Sequence, residues 1–211
     1  MRVASLCGIV GLACTLGVQS SYAQQPPKPQ ISEATREKAA ETNANADALV
    51  LQDFHKRIDG YLAIHKAAKK ESLPLKETAN PAEIKAAQQT LAAVIRAGRA
   101  DAKAGDIFTP EIRNKFRRLM YPELAGREGR ETKEKLKEDV HERDEAPAKP
   151  VRMTVNATYP EGNPLPTTPT NLLVRLPTLP KELEYRIIDK TLILRDVEAN
   201  TIVDFIPNAI Q

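Results

Sequence analysis

Tryptophan is absent from this 211-residue chain, which carries only 4 Phe and 5 Tyr. So few aromatic rings leave little surface on which the bases of single-stranded nucleic acid could stack. Cysteine is nearly absent too: Cys7 and Cys14 are the only two. Both lie in an N-terminal segment that reads as removable. Without them the chain has no thiol for catalysis, for a thiolate zinc site, for an iron–sulfur cluster or for a disulfide. Glycine numbers 9, never clustered as GxGxxG, so no glycine-rich phosphate cradle is present. No GxSxG or HExxH motif occurs. An excess of one charge is also missing: 31 Lys and Arg face 28 Asp and Glu, for a net charge of +3. That balance argues against a polybasic membrane anchor or a nucleic-acid arm. Beyond the N-terminus no apolar run approaches the length of a membrane span.

The N-terminus carries an address. Met1-Arg2 is a short positive start, Val3 to Val18 is apolar or small, and Ser21 and Ala23 supply small residues before a cleavage point. These are the three parts of a secretory signal, with cleavage expected after Ala23. The expected location is the periplasm or the exterior of the cell. A lipid-anchored form through Cys14 is the rival, but "GLAC" places Gly11 where a lipoprotein signal wants a Leu-like residue.

Residues 24–46 are polar, Pro-rich at first and Ala-rich later, and are expected to form a flexible leader. A helical pattern follows from Asp47 to Glu71. Phe54, Ile58, Tyr61, Leu62, His65 and Ala68 share an arc of about 120° at helical spacing. A second helix opens at "NPAE", with Asn80 as cap, Pro81 in the first turn and Glu83 as the capping-box acid. Its apolar arc runs from Ile84 through Ile95 to Gly98 and Ala102, with Gly105 as the stop. Gly98 sits inside that arc, which suggests close approach of a neighbouring helix. A third helix opens at "TPE", capped by Thr109, with Ile112, Phe116, Leu119 and Met120 in one stripe and Pro122 as its limit. Short connections make neighbouring helices antiparallel.

Residues 127–145, "REGRETKEKLKEDVHERDE", are charged at 14 of 19 positions, and fit an exposed helix or a disordered spacer. Half of the 16 prolines then fall between Pro147 and Pro180. Val151, Met153, Val155 and Ala157 alternate with polar residues as in a strand, and "NLLVRLP" is a second strand candidate. The tail is clearest: "EYRII", "TLILRD" and "TIVDFI" form a three-stranded meander with "DK" and "VEAN" as turns, Asn200 being suited to positive φ.

The expected fold is therefore α+β, an N-terminal antiparallel helical bundle followed by a small C-terminal antiparallel β meander. Its expected segments are a signal peptide at 1–23, a leader at 24–46, the bundle at 47–121, a charged helix or linker at 122–150, and the β module at 151–211.

Chemistry is harder to place. His55 and His65 lie roughly 15 Å apart along one helix, too far to share a metal. His65 is on the apolar face and reads as a core or interface histidine; His141 lies in the charge run and reads as solvated. Asp189, Asp196, Glu198 and Asp204 lack the alternation of a calcium loop and are expected to serve turns and strand edges. The best candidate for an anion or partner surface is basic: Arg96, Arg99 and Lys103, three and four apart on the second helix. Arg113, Arg117 and Arg118 continue it on the third.

The segments "DIFTPEIRNKFRRLM", "NATYPEGNPLPTTPTNLL" and "LPTLPKELEYRIIDKTLILRDVEANTIVDFIPNAI" resemble a group of exported bacterial proteins of unknown function. The resemblance implies export and a helical part followed by a β tail. It implies no reaction, cofactor or catalytic residue. The expectation is a non-catalytic binding or structural protein of the periplasm or envelope, with an unidentified protein or envelope component as partner. No cofactor, metal or nucleic acid is expected. The alternative is a hydrolase with a dispersed carboxylate and histidine site.

Overall fold

The computed structural model describes residues 32–72, 78–141, 151–160, 163 and 165–210. The signal segment and most of the leader lie outside them. The chain divides into two units, residues 1–39 and 40–211. Of the first, the described part is the exposed start of a helix, where the Thr35 amide donates to Ser32.

That helix, α1, spans Glu33–Glu71. It therefore takes in part of the expected leader. Residues 33–45 are exposed, so Ala-rich helix propensity and the cap hold them, not packing. Three more helices follow: α2 Pro81–Gly98, α3 Pro110–Leu124 and α4 Gly126–His141. Asn80 caps α2 by accepting from the Ala82 amide, and Thr109 caps α3 by accepting from Ile112. α2 stops at Gly98, earlier than its apolar arc suggests, because the chain turns at once: Arg99 donates to the Arg96 carbonyl and Gly105 sits at φ +95°. α3 continues through Pro122 to Leu124, whose side chain is buried. Proline so near the end removes one hydrogen bond without ending the helix. Gly126, at φ +69°, turns the chain into α4, so the charged segment is helical as far as His141.

The fold is α+β as expected, and the tail is its meander: β1 Leu183–Ile188, β2 Thr191–Asp196 and β3 Thr201–Ile206 form an antiparallel sheet in that order. Asp189 (φ 52°) and Asn200 (φ 49°) take the left-handed positions in the two turns. "NLLVRLP" is not a strand. Thr170–Leu173 is a short helix, α5, which starts after Pro169. Leu172 and Leu176 turn inward, four apart, while Leu173 and Val174 stay outside. Residues 151–157 form no ladder strand either, because Asn156 takes φ 65°. This stretch still covers the free edge of β3: Asn156 N donates to Ile202 O, Ile202 N to Ala157 O, and Tyr159 N to Asn200 O.

Both faces of the sheet are covered. Leu183, Tyr185, Ile187, Leu192 and Leu194 join Phe54, Ile58, Ile95, Phe108, Ile112 and Phe116 in the main core. Phe116 meets Phe54, Phe108 and Tyr185 with ring centroids 5.0, 5.2 and 5.9 Å apart. On the opposite face Ile193 and Ile202 pack with Tyr159, Val151, Met153 and Leu165. A register shift at Leu194/Arg195 pairs Leu194 with Asp204 but Arg195 with Ile202, leaving Val203 as the extra residue of a bulge. Asp204, opposite Leu194 and two before Ile206, faces the helices by alternation; the bulge adds Val203 to that face and sends Ile202 to the other.

Candidate functional site

The helical face of the sheet holds two fully buried acids, Asp196 and Asp204. Asp196 ends β2 in line with Leu192 and Leu194, a position that period-2 alternation turns inward. Opposite it runs the inward stripe of α1: Phe54, Ile58, Tyr61, His65 and Ala68. Spacing of four and three residues stacks Tyr61 and His65 one turn apart, and both reach the same carboxylate oxygen. Tyr61 Oη donates to Asp196 Oδ2 at 2.6 Å, and His65 Nδ1 lies 2.6 Å from it. The other oxygen, Oδ1, accepts from the Ala199 amide at 2.7 Å, which shapes the β2–β3 turn. From that turn Glu198 reaches back, with Oε2 3.3 Å from His65 Nε2 and 2.7 Å from Lys69 Nζ.

The electrostatics follow from this geometry. Burial alone would raise the Asp196 carboxyl; His65, the Ala199 amide and Tyr61 outweigh it and hold it below the ordinary 3.8. The hydrogen bond to Asp196 raises His65 above 6.5, against the opposing effect of burial. Glu198 is raised by burial and lowered more by Lys69 and His65, so it too stays ionised. Burial, then the Asp196 charge, pushes the Tyr61 phenol up, so it remains a neutral donor.

Asp204 is handled differently. Gly105 N donates to Oδ1 at 3.0 Å, and Ile107 N and Phe108 N donate to Oδ2 at 2.9 and 2.8 Å. The loop before α3 thus wraps its amides around one strand carboxylate. On the opposite face Arg195 lies between Glu184 and Asn200, 2.5 Å and 2.6 Å away, with its guanidinium 5.9 Å from the Tyr159 ring centre. Asp196 and Asp204 were expected at turns and edges; the meander's own alternation instead turns them into the interface with the helices. Asp189 does sit exposed in its turn.

The basic candidates separate. Arg99 lies past the end of α2 and is buried, its guanidinium 4.9 Å over the Tyr61 ring. It donates to Asn156 Oδ1 at 2.9 Å and to the Val203 carbonyl at 3.3 Å. Arg96 is exposed on the last turn of α2, 3.3 Å from Thr158 Oγ1. Lys103 is exposed in the following turn, where its backbone amide donates to Asp106. Only Arg96 is on α2, so the three do not form one helical stripe. Arg118 pairs with Asp47, and Arg117 donates to the Pro207 carbonyl. Arg57, Tyr61, Gly98, Arg99 and Asp106 line an open cleft of about 450 Å³. A second groove, of about 530 Å³, runs past Asn43, Asp47, Glu111 and Arg118.

His55 is exposed and takes no part in the cluster. The side chain of His141 lies outside the described residues. Among the described residues no group of three or more His, Cys, Asp and Glu could hold a metal ion, and no helix is long and apolar enough to cross a membrane. Comparison with protein-family models, curated proteins and solved structures finds no match.

Proposed function

We propose that this chain is an exported, non-catalytic protein of the periplasm or envelope, acting through its surfaces as a binding or structural element. The observation that carries the non-catalytic part is the state of His65. It is the histidine best placed for acid–base work, yet it is 3% exposed and both ring nitrogens face carboxylates. A general base needs one nitrogen open to the proton it removes. Asp196, its partner, is 0% exposed, so substrate reaches neither group. Export is supported by the pattern of Met1 to Ala23. Arg96 and Lys103 remain exposed for an acidic partner.

The test is to express the full chain in a bacterial host, fractionate the cells, sequence the N-terminus and crosslink the envelope. Expected are a chain beginning at Gln24 outside the cytoplasm and a crosslinked envelope component. Retention of Met1 in the cytoplasm would overturn the export reading. Hydrolysis by the purified chain that disappears in His65→Gln would favour the carboxylate–histidine hydrolase.

A further inference from the structure

We propose that His65, Asp196 and Glu198 form a pH-operated latch, which holds the β2–β3 turn tightly on α1 while His65 carries both ring protons and loosens it when alkali removes one. The inference goes beyond the functional reading above, because it concerns how the fold responds to its surroundings.

A carboxylate only accepts hydrogen bonds, and a neutral imidazole has a single N–H. His65 Nδ1 is 2.6 Å from Asp196 Oδ2, and Nε2 is 3.3 Å from Glu198 Oε2. Both contacts are hydrogen bonds only in the imidazolium. In either neutral tautomer a ring lone pair would face a carboxylate lone pair. The two contacts are unequal. Asp196 is fully buried and its contact is short, whereas the Glu198 side chain is 37% exposed and its contact is long. The proton lost is therefore the one on Nε2, and the contact that opens is the one to Glu198, which leaves the turn held on α1 by Lys69, 2.8 and 2.7 Å from the two Glu198 oxygens, and by Asp196.

The surrounding charges do not replace the lost one. From α1, Tyr61 donates its hydroxyl to Asp196, and Lys69 holds Glu198 from the solvent side with a side chain 58% exposed. From β2 and the turn come Asp196 and Glu198 themselves. From beyond α2, Arg99 stacks on Tyr61 and binds Asn156 and the Val203 carbonyl, and from β3 Asp204 is bound by loop amides. With His65 charged, two carboxylates meet two cations; with His65 neutral, one negative charge is left over. Because its folded value is raised above 6.5, His65 contributes its full stabilisation below 6.5 and loses it as pH climbs through the folded value. Asp196 is held below 3.8 and Glu198 below 4.5, so acid reaches the two carboxylates of the latch only below those values.

The experiment uses the full chain with ring-¹⁵N histidine, assigned with His55→Gln and His141→Gln. Its second reading is amide exchange, corrected for the intrinsic pH dependence of exchange. Expected are two protonated ring nitrogens on His65 at pH 6.5, a titration midpoint above that, and a lower midpoint in Glu198→Gln. Across the transition the protection of the Ala199 amide, in the turn, should fall by about tenfold for each unit by which the midpoint exceeds 6.5. Ile193, in the centre of β2, should keep its protection. A neutral His65 ring at pH 6.5 would overturn the latch. So would Ala199 and Ile193 losing protection together, or a His65 midpoint unmoved by Glu198→Gln. The two measurements on the chain without Glu198→Gln decide the matter even if that variant folds poorly.

Discussion

At the scale of single residues, this molecule places ionised groups where apolar ones would ordinarily sit. Breaking a buried pair leaves one charge desolvated and alone, which costs more than the pair contributed. His65→Leu should therefore lower unfolding free energy by about 3 kcal/mol in urea titrations at pH 6, because Asp196 stays buried without its main cation. Tyr61→Phe removes one donor to that carboxylate and should cost about 2 kcal/mol. Arg99 and its neighbours separate just as sharply. Arg99→Ala strips Tyr61 of its cation and leaves Asn156 Oδ1 and the Val203 carbonyl short of a donor, so its melting temperature should drop by several degrees. The double variant Arg96→Ala and Lys103→Ala, on exposed groups, should melt with the unaltered chain. His65 was legible in the sequence as a residue of the apolar face, since helical spacing alone places it there. Its partner was not, because Asp196 lies 131 residues away and spacing says nothing about distant pairings. An acid two places beyond Leu194 and four beyond Leu192, on the inward face of a strand, was the available clue.

Among the elements, local rules worked where the chain decides its own conformation. The meander is set by period-2 alternation, by a two-residue turn at Asp189-Lys190 and by Asn200 at positive φ. The caps Asn80 and Thr109 are likewise where the sequence puts them. Elsewhere neighbours decided. Leu172 to Leu176 carries strand-forming residues, yet Pro169 starts a short helix and the main core accepts only every fourth side chain. The bulge at Val203 could not be read in advance, since it depends on which face of β3 the α2–α3 loop approaches. Asp204 is the reason that loop is fixed. Asp204→Ala should destabilise by about 3 kcal/mol or more, because the Ile107 and Phe108 amides lose their acceptor in a buried setting. Gly105→Ala should cost about 1–2 kcal/mol, as φ +95° disfavours a side chain and its Cβ would lie 3.2 Å from Arg113 Nη2. Chemical denaturation of both variants checks these values.

For residues 40–210 as a whole, few aromatic rings and no disulfide leave the joining of helices to sheet to three kinds of contact. The Phe54–Phe108–Phe116–Tyr185 cluster supplies the apolar one; Phe116→Ala should cost about 3–5 kcal/mol, read from the urea midpoint. Asp204 ties β3 to the loop before α3, and Asp196 ties β2 to α1. The α+β order of the chain was legible because helical and strand periods occupy separate stretches of it. The way the layers are fastened was not, because both polar fastenings join an acid of the tail to groups roughly 100 or more residues earlier. The His65–Asp196 pair fastens α1 to β2. A double-mutant cycle of His65→Gln and Asp196→Asn, measured by urea unfolding at pH 6, tests it most directly. A coupling of about 2 kcal/mol or more between the two positions is expected. Additive effects, with a coupling within about 0.5 kcal/mol of zero, would contradict it.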